Sequence, residues 1–233
     1  MEVVTGVRRF LHAVLVVDDA SIDRTAACAL EGGASVLRHD RTLGKGAALN
    51  TGWRYALQQG FAWALNLDGD GQHAPADIAQ FLDCTRATGA DLVVGQRSRQ
   101  LMPRVRRLVN TYMSYRLSRL AGMPLPDTQC GFRLMNLQAW SSLELLATHF
   151  EVESDVLLEF VAAGYQVEFV PVQTIYKDER SKIHPFHDTV RWFRWLRSAK
   201  GRSRGAVRPR FAPVNRPAIC SALSGEAEQQ GKS

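Results

Sequence analysis

The sequence predicts an α/β fold with a mainly parallel sheet flanked by helices. Four apolar runs of strand length, 13–17, 34–38, 61–67 and 90–95, alternate with stretches of helical periodicity. Continuous apolar runs are typical of strands buried on both faces, and their alternation with helices is typical of a parallel sheet. The 233 residues, 45% of them hydrophobic, are enough for one substantial core.

Helical segments separate and follow these strands. Segment 103–120 is predicted to form a long helix, since apolar residues recur at helical spacing on one face before Gly122 and two prolines end the pattern. The residues of that face are Val105, Leu108, Val109, Tyr112 and Leu120. The other predicted helices cover 23–30, 45–59, 75–88, 153–163 and 185–198, and a strand pair is predicted near 167–176.

Composition divides the chain into three parts. Residues 1–184 carry the strand and helix pattern and are predicted to form the main domain. In residues 185–200, arginines are interleaved with aromatic residues, which predicts a basic amphipathic helix. Residues 201–233 lack apolar periodicity and are predicted to be a disordered tail.

The charge of the chain indicates an acidic partner. The net charge is +6, and the basic residues concentrate in 104–119 and 177–210. Phosphate, nucleic acid and an anionic membrane all fit such a distribution, but no nucleic-acid-binding motif accompanies it. The cysteines lack CxxC or zinc-like spacing, so reduced thiols and a cytoplasmic location are expected.

Two aspartates follow the third apolar run, in "LNLDGDGQHAP". A calcium loop is excluded, because His73 stands where the invariant glycine belongs, and a DxDGT phosphatase motif fails because Gln72 replaces the threonine. Asp68, Asp70 and Gln72 instead offer oxygen ligands at alternate positions, which suits Mg²⁺ or Mn²⁺ shared with phosphate oxygens. The segment therefore predicts a metal site for a nucleotide diphosphate.

Other strand ends carry polar residues as well. Asp19 follows the first apolar run, where helix capping accounts for its neighbours Ser21 or Asp23 better than for Asp19 itself. Lys45 lies in the glycine-rich "LGKGAALNTG", which opens a helix but lacks the Walker pattern. Phosphate contact and simple helix entry both remain open for Lys45.

Seven segments follow one another in a specific order between about residues 13 and 196. They are "VVDDASIDRT", "GKGAALNTGW", "LDGDGQHAP", "VVGQRS", "DTQCGFRLM", "FEVESDVLLEF" and "ERSKIHPFHD". This ordered set resembles the family 2 glycosyltransferases, in particular the dolichyl- or polyprenyl-phosphate sugar transferases. The resemblance implies a GT-A fold, a UDP- or GDP-linked sugar donor, and transfer with inversion at the anomeric carbon.

The resemblance also implies roles for individual residues. Asp19 is expected to bond the base, Asp68 to lie by the ribose and the metal, and Asp70 and Gln72 to hold the metal. Basic residues are expected near the donor diphosphate or the acceptor phosphate, namely Arg97, Arg133 and Lys182. Asp127 stands at the position of an acceptor-side carboxylate, where it takes a proton, orients the acceptor or bonds Arg133. For Arg97 and Arg133, a surface ion pair is the alternative.

The acceptor is expected at a membrane surface. The helix predicted over 185–198 carries aromatics beside arginines, so either peripheral membrane contact or packing on the domain accounts for its apolar side. A polyprenyl phosphate fits the basic residues, with a diacylglycerol or a glycan as the other possible acceptors.

The resemblance has one departure. Members of the family begin with a strand and the turn "PxYNE", some 30 or more residues before "VVDD", and here 17 residues precede Asp18. Two hypotheses follow: a metal-dependent glycosyltransferase, or a truncated non-catalytic relative with only an interaction or membrane-binding role.

Overall fold

The computed structural model describes residues 2–145, 151–175, 192, 195 and 196. Its strands are β1 (Leu15–Asp18), β2 (Ser35–Arg38), β3 (Trp63–Asn66), β4 (Leu92–Arg97), β5 (Arg133–Asn136) and β6 (Val167–Val172). Its α-helices are α1 (Glu2–Val7), α2 (Thr25–Glu31), α3 (Lys45–Gln58), α4 (Ile78–Thr88), α5 (Arg104–Ala121), α6 (Leu137–Ser141) and α7 (Val152–Ala162). Alternating strands and helices confirm the α/β class.

The strands form two sheets within the described residues. β1 pairs in parallel with β2, and the second sheet has the order β3-β5-β4-β6. In that sheet β4 and β6 are parallel, whereas β5 runs antiparallel to both of its neighbours. The sheet is therefore mixed, and parallel pairing is limited to β1–β2 and β4–β6. No strand was predicted at β5, because it has only four residues and opens with a buried arginine.

The predicted helices lie close to their expected bounds. Segment 75–88 forms a 3-10 turn, Pro75–Asp77, followed by α4, which fits a proline in a first helical turn. The strand pair predicted near 167–176 is observed as β6 followed by a single bridge between His73 and Thr174. None of the helices within the described ranges is long and apolar enough to cross a membrane.

The main core lies on both faces of β4. Leu92, Val93 and Val94 are fully buried, and Phe81 of α4 stacks on Phe132 with ring centroids 4.4 Å apart. Trp192, Trp195 and Leu196 belong to the same core, and the Trp195 indole donates to Asp155 Oδ1 at 3.0 Å. Packing on the domain thus accounts for these three residues of the predicted C-terminal helix; its other residues lie outside the described part, as does 201–233.

The longest helix turns its predicted apolar face outward. Of the five residues predicted for one face of α5, Leu120 is half-buried against the core, but the other four are exposed: Val105, Leu108, Val109 and Tyr112. The residues that α5 buries are Asn110, Met113, Ser114 and Leu117. Helical periodicity locates an apolar face but does not say what covers it.

β1 and β3 are each the end strand of their own sheet in the described structure. Their side chains are mostly half-buried, whereas those of the central strand β4 are nearly all buried. Helix α3 packs against both β1 and β3. The two sheets are thus linked by a shared helix, with no strand pairing between β1 and β3.

Candidate active site

The starts of two helices and one loop bring oppositely charged side chains together beyond the end of β3. The Lys45 ammonium, at the first residue of α3, lies 2.8 Å from Asp68 Oδ1 and 3.2 Å from Glu153 Oε1. Asp68 follows β3 by two residues, and Glu153 lies in the first turn of α7. Three segments far apart in sequence therefore meet at the Lys45 ammonium group.

A glycine makes this approach possible. A Cβ on Gly131 would lie 2.8 Å from Asp68 Oδ2 and 3.0 Å from Glu153 Oε1, too close for any real side chain beside two carboxylates. The backbone of the loop before β5 can pass only because residue 131 has no side chain. Gly131 therefore leaves the space in which Asp68 and Glu153 lie near each other.

The charges of the cluster shift one another's protonation. Burial alone would lower the pKa of Lys45, but the carboxylates of Glu153 and Asp68 outweigh it and raise that pKa above its ordinary value. Burial alone would raise the pKa of Asp68, but Lys45 lowers it below the ordinary aspartate value. The ammonium and the Asp68 carboxylate are thus both held in their charged forms.

Asp70 and Gln72 lie in the turn that follows Asp68. Asp70 is exposed, and its Oδ1 accepts a hydrogen bond from the Gln72 amide at 2.9 Å. The Gln72 carbonyl accepts from the Ile175 amide at 2.8 Å, which ties this turn to the segment after β6. The Asp70 side chain is therefore presented to solvent by a turn that is anchored at its far end.

These residues are suitable for a divalent cation. Within the described residues, no group of three or more His, Cys, Asp and Glu side chains is placed to hold a metal ion. The predicted set has a different composition, however: two carboxylates, Asp68 and Asp70, and the amide of Gln72. Asp68 already contacts a cation, and hard oxygen donors are the ligands that Mg²⁺ and Mn²⁺ prefer.

Asp19 holds the glycine-rich loop before α3. Its Oδ2 accepts from the Gly44 amide at 2.7 Å and its Oδ1 from the Leu43 amide at 2.9 Å. His39 Nδ1 lies 2.7 Å from the same Oδ1. Burial would raise the pKa of Asp19, but the hydrogen bonds with His39, Leu43 and Gly44 lower it. Asp19 therefore orients the loop that carries Lys45; its contact with a base stays a prediction.

Asp127 pairs with Arg97 inside the protein. Arg97 Nε donates to Asp127 Oδ2 at 2.8 Å and its Nη2 donates to Oδ1 at 3.0 Å, a bidentate ion pair. The Arg97 amide, the Gln129 amide and the Asn110 side chain also donate to this carboxylate. Burial would raise the pKa of Asp127, but the bonds and charge of Arg97 lower it.

This arrangement favours a positioning role for Asp127 over proton abstraction. Five donors reach its two oxygens, and a carboxylate has about four lone-pair sites. A lowered pKa and fully used oxygens disfavour proton abstraction. Its partner is Arg97 rather than Arg133, and both residues of the pair are buried, which differs from a surface ion pair.

Arg133 points into the protein. Its guanidinium donates to the backbone carbonyls of Cys130, Thr128 and Glu153. Burial lowers the pKa of this guanidinium. Arg133 fastens the loop 128–130 and the start of α7, and so holds Glu153 in place; its contact with a phosphate stays a prediction.

Replacing Arg133 by methionine is expected to lower the free energy of unfolding by about 3 kcal/mol, because three buried carbonyls lose a charged donor. Urea-induced unfolding measures this change in the free energy of unfolding. Arg99→Met is the control: Arg99 is exposed and, among the described residues, its side chain donates only to the Pro126 carbonyl, so a change within about 1 kcal/mol is expected. Wild-type stability with lost donor binding in Arg133→Met would instead indicate a phosphate contact.

Sequence reasoning missed two residues of the site. Glu153 lies in a segment predicted to be helical, and sequence reasoning assigns it no role; its signal is an acidic residue buried in the first turn of an apolar helix. Asn110 was also missed, because its bond to Asp127 depends on how α5 packs. Lys182 lies outside the described residues.

A family model for glycosyl transferase family 2 matches residues 2–141, more than half of the chain. The chain belongs to glycosyl transferase family 2. This family 2 glycosyltransferase is 30% identical over 172 residues to an uncharacterised protein of Methanocaldococcus jannaschii, a match that covers 71% of each chain.

Two named relatives are similar to this family 2 glycosyltransferase over a shorter share of their length. The UDP-N-acetylglucosamine–dolichyl-phosphate N-acetylglucosaminyltransferase of Methanococcus voltae is 30% identical over 61% of this chain and 59% of its own. The polyprenol monophosphomannose synthase of Mycolicibacterium smegmatis is 28% identical over 68% of this chain and 65% of its own. The chain thus spans somewhat less than two thirds of each of these two relatives.

Solved structures establish the fold of this family 2 glycosyltransferase. Glucosyl-3-phosphoglycerate synthase from Mycobacterium tuberculosis, in complex with Mn²⁺, UDP-glucose and phosphoglyceric acid, superposes with a TM-score of 0.66 at 20% identity, covering 85% of this chain and 74% of that chain. The GT-A fold is therefore confirmed.

Proposed function

We propose that this protein transfers a sugar from a nucleotide-diphosphate donor, UDP- or GDP-linked, to a polyprenyl or dolichyl-type phosphate, with inversion at the anomeric carbon. The observation that carries the proposal is the convergence of Lys45, Asp68 and Glu153 beside the turn of Asp70 and Gln72. The relatives from Methanococcus voltae and Mycolicibacterium smegmatis support the lipid acceptor, since their names specify dolichyl phosphate and polyprenol.

At the donor side, residues from two sheets would bind the nucleotide. Asp19 follows β1 and would contact the base, while Asp68 follows β3 and would lie by the ribose and the metal. Lys45 is held near Asp68 as a charged ammonium, so it can stabilise the negative charge of a diphosphate.

Mg²⁺ or Mn²⁺ would be held by Asp70, Gln72 and Asp68. Such an ion, when bound, neutralises the charge that develops on the departing diphosphate oxygens. Support comes from the structural neighbour crystallised with Mn²⁺ and UDP-glucose. The chain's own contribution is the anchored turn that presents Asp70 to solvent and carries the half-buried Gln72.

At the acceptor side, the chemistry makes little demand on a base. A phosphate oxygen of the lipid attacks the anomeric carbon from the face opposite the donor diphosphate. The bond from that carbon to the diphosphate oxygen breaks, and its electron pair leaves with the nucleoside diphosphate. Because a phosphate monoester attacks already ionised, the role left for Asp127 is to fix Arg97 and the loop 127–129.

The reaction is placed at the cytoplasmic face of a membrane, where a polyprenyl phosphate would be found. Peripheral contact agrees with the basic character of the chain, whose net charge is +6. In this assignment no nucleic acid takes part.

Calorimetric titration with UDP- and GDP-sugars, with and without Mn²⁺, tests the donor half of the proposal. Binding heat that requires the metal is expected for one of the two nucleotides. Transfer of labelled sugar to a polyprenyl phosphate in detergent then tests the acceptor half. No heat with either nucleotide would favour the second hypothesis, a non-catalytic relative.

A further inference from the structure

The outer face of α5 carries a continuous apolar surface, which we call the α5 stripe. Six of the twelve large hydrophobic side chains that are exposed in the described part of the chain lie in this one segment. They are Leu101, Val105, Leu108, Val109, Tyr112 and Tyr115. Val105 and Leu108 are 77% and 73% exposed, close to full solvation. Contiguous exposed apolar surface of this kind marks an interaction site.

The helix that carries the α5 stripe is strongly basic. Its eighteen residues, "RVRRLVNTYMSYRLSRLA", contain five arginines and no aspartate or glutamate. Arg116 lies on the stripe itself: its Nη1 donates to the Tyr112 hydroxyl at 2.8 Å, and its guanidinium carbon is 5.7 Å from the centre of the Tyr112 ring. The other four are Arg104, Arg106, Arg107 and Arg119.

A groove with the same composition adjoins the stripe. It lies between α5 and the segment 122–126 and is lined by Tyr115, Met123 and Leu125 together with Arg99 and Arg119. Apolar side chains and arginines therefore occur together in the groove as well as on the stripe.

The inner face of the same helix touches the acceptor-side residues. Asn110 donates to Asp127 Oδ1 at 3.2 Å, and the Ser114 and Thr128 hydroxyls lie 3.4 Å apart. A helix is about 10 Å across, and the Arg97–Asp127 pair lies on the side of α5 opposite the stripe. A partner bound to the stripe would therefore lie roughly one helix diameter from this pair.

We propose that the α5 stripe binds an anionic lipid surface, with its apolar side chains in the interfacial layer and its arginines on the phosphate groups. Exposed aliphatic and aromatic side chains on an arginine-rich helix without acidic residues match this partner in both polarity and charge. Nucleic acid would match the charge but would leave Val105 and Leu108 without a role. The proposal deepens the proposed function, because it names the face of the protein that is turned to the lipid acceptor. Only the identity of that acceptor rests on the proposed function.

Sedimentation of the full chain with vesicles tests the proposal. Binding to vesicles that contain phosphatidylglycerol is expected, with much weaker binding to pure phosphatidylcholine and weakening by salt. The double variant Val105→Ser/Leu108→Ser should reduce the partition coefficient at least about 10-fold, because two well-exposed apolar side chains no longer enter the interface. Arg104→Gln/Arg107→Gln should reduce it about 30-fold, at roughly 1 kcal/mol per arginine.

The matched control is Ile22→Ser/Leu30→Ser, two exposed apolar residues that lie outside the stripe. It should bind vesicles like the wild type. Circular dichroism and thermal unfolding of each variant establish that the fold is retained. Equal binding by Val105→Ser/Leu108→Ser and the wild type, no dependence on anionic lipid, or a dimer in solution that this double variant dissociates would each overturn the proposal.

Donor titration of the same variants separates this proposal from the proposed function. Loss of vesicle binding with unchanged nucleotide-sugar heat supports the α5 stripe as a docking surface. If wild-type protein binds vesicles through the stripe but shows no donor heat, the proposed function fails and the lipid surface stands.

Discussion

Replacing Asp70 by alanine is expected to abolish metal-dependent donor binding, with a loss of affinity of at least about 100-fold. Asp70 is exposed, and its Oδ1 accepts a hydrogen bond from the Gln72 amide, so removal of this side chain leaves the core and its buried charge pairs intact. The fold should therefore survive a change that removes a ligand of the ion. Calorimetry with the nucleotide sugar that binds the wild type, in the presence of Mn²⁺, measures the loss.

Asp83→Ala is the control for this prediction. Asp83 is also an exposed aspartate, on α4, where it pairs with Arg86. Its removal should leave donor affinity unchanged and alter the free energy of unfolding by less than about 1 kcal/mol. Retained Mn²⁺-dependent binding by Asp70→Ala would show that the metal, if used, is held elsewhere.

Replacing Asp127 by asparagine is expected to lower the free energy of unfolding at neutral pH by about 3–5 kcal/mol. The change preserves the shape of the side chain but removes the charge that faces the buried Arg97 guanidinium, and a buried charge without its counter-ion is costly. Urea denaturation at pH 7 measures the difference. Asp83→Asn, at an exposed pair, should cost less than about 1 kcal/mol.

The same pair gives the expected dependence on pH. The pKa of Asp127 is lower in the folded protein than in the unfolded chain, where it is about 3.9. Its ionised form therefore stabilises the fold above about pH 4, and this contribution disappears as the pH falls towards the lower folded-state pKa. The difference in the free energy of unfolding between the wild type and Asp127→Asn should become smaller below about pH 4. A difference that stays constant down to pH 2 would show that charge pairing is not its cause.

The elements of the fold were predictable where one local pattern dominates. Continuous apolar runs located β1 to β4, and helical periodicity located α3 and α5 within one or two residues. β5 was not predicted, because a four-residue strand that begins with Arg133 has no local signature and depends on its pairing with β3 and β4. The outward orientation of α5 was equally inaccessible, since periodicity gives a face without its environment.

The sequence predicted which residues belong to the candidate site better than it predicted which residues they contact. Asp68 and Lys45 were both named from sequence, and the structure places them in contact. Glu153 joins them only through the loop geometry that Gly131 permits, which no local pattern reports. The partners of Asp127 and Arg133 are also set by tertiary packing: the Asp127 carboxylate binds Arg97 rather than Arg133, and Arg133 binds backbone carbonyls.

The separation of β1 from β3 has a consequence for how a ligand would affect the molecule. In the proposed assignment, Asp19 holds one end of the donor from the first sheet, and Asp68 holds the other end from the second. The sheets are connected by α3 and by the contact between Lys45 and Asp68 rather than by strand pairing. A bound nucleotide sugar would then contact both sheets at once. Its binding free energy would therefore stabilise the protein against separation of the two sheets.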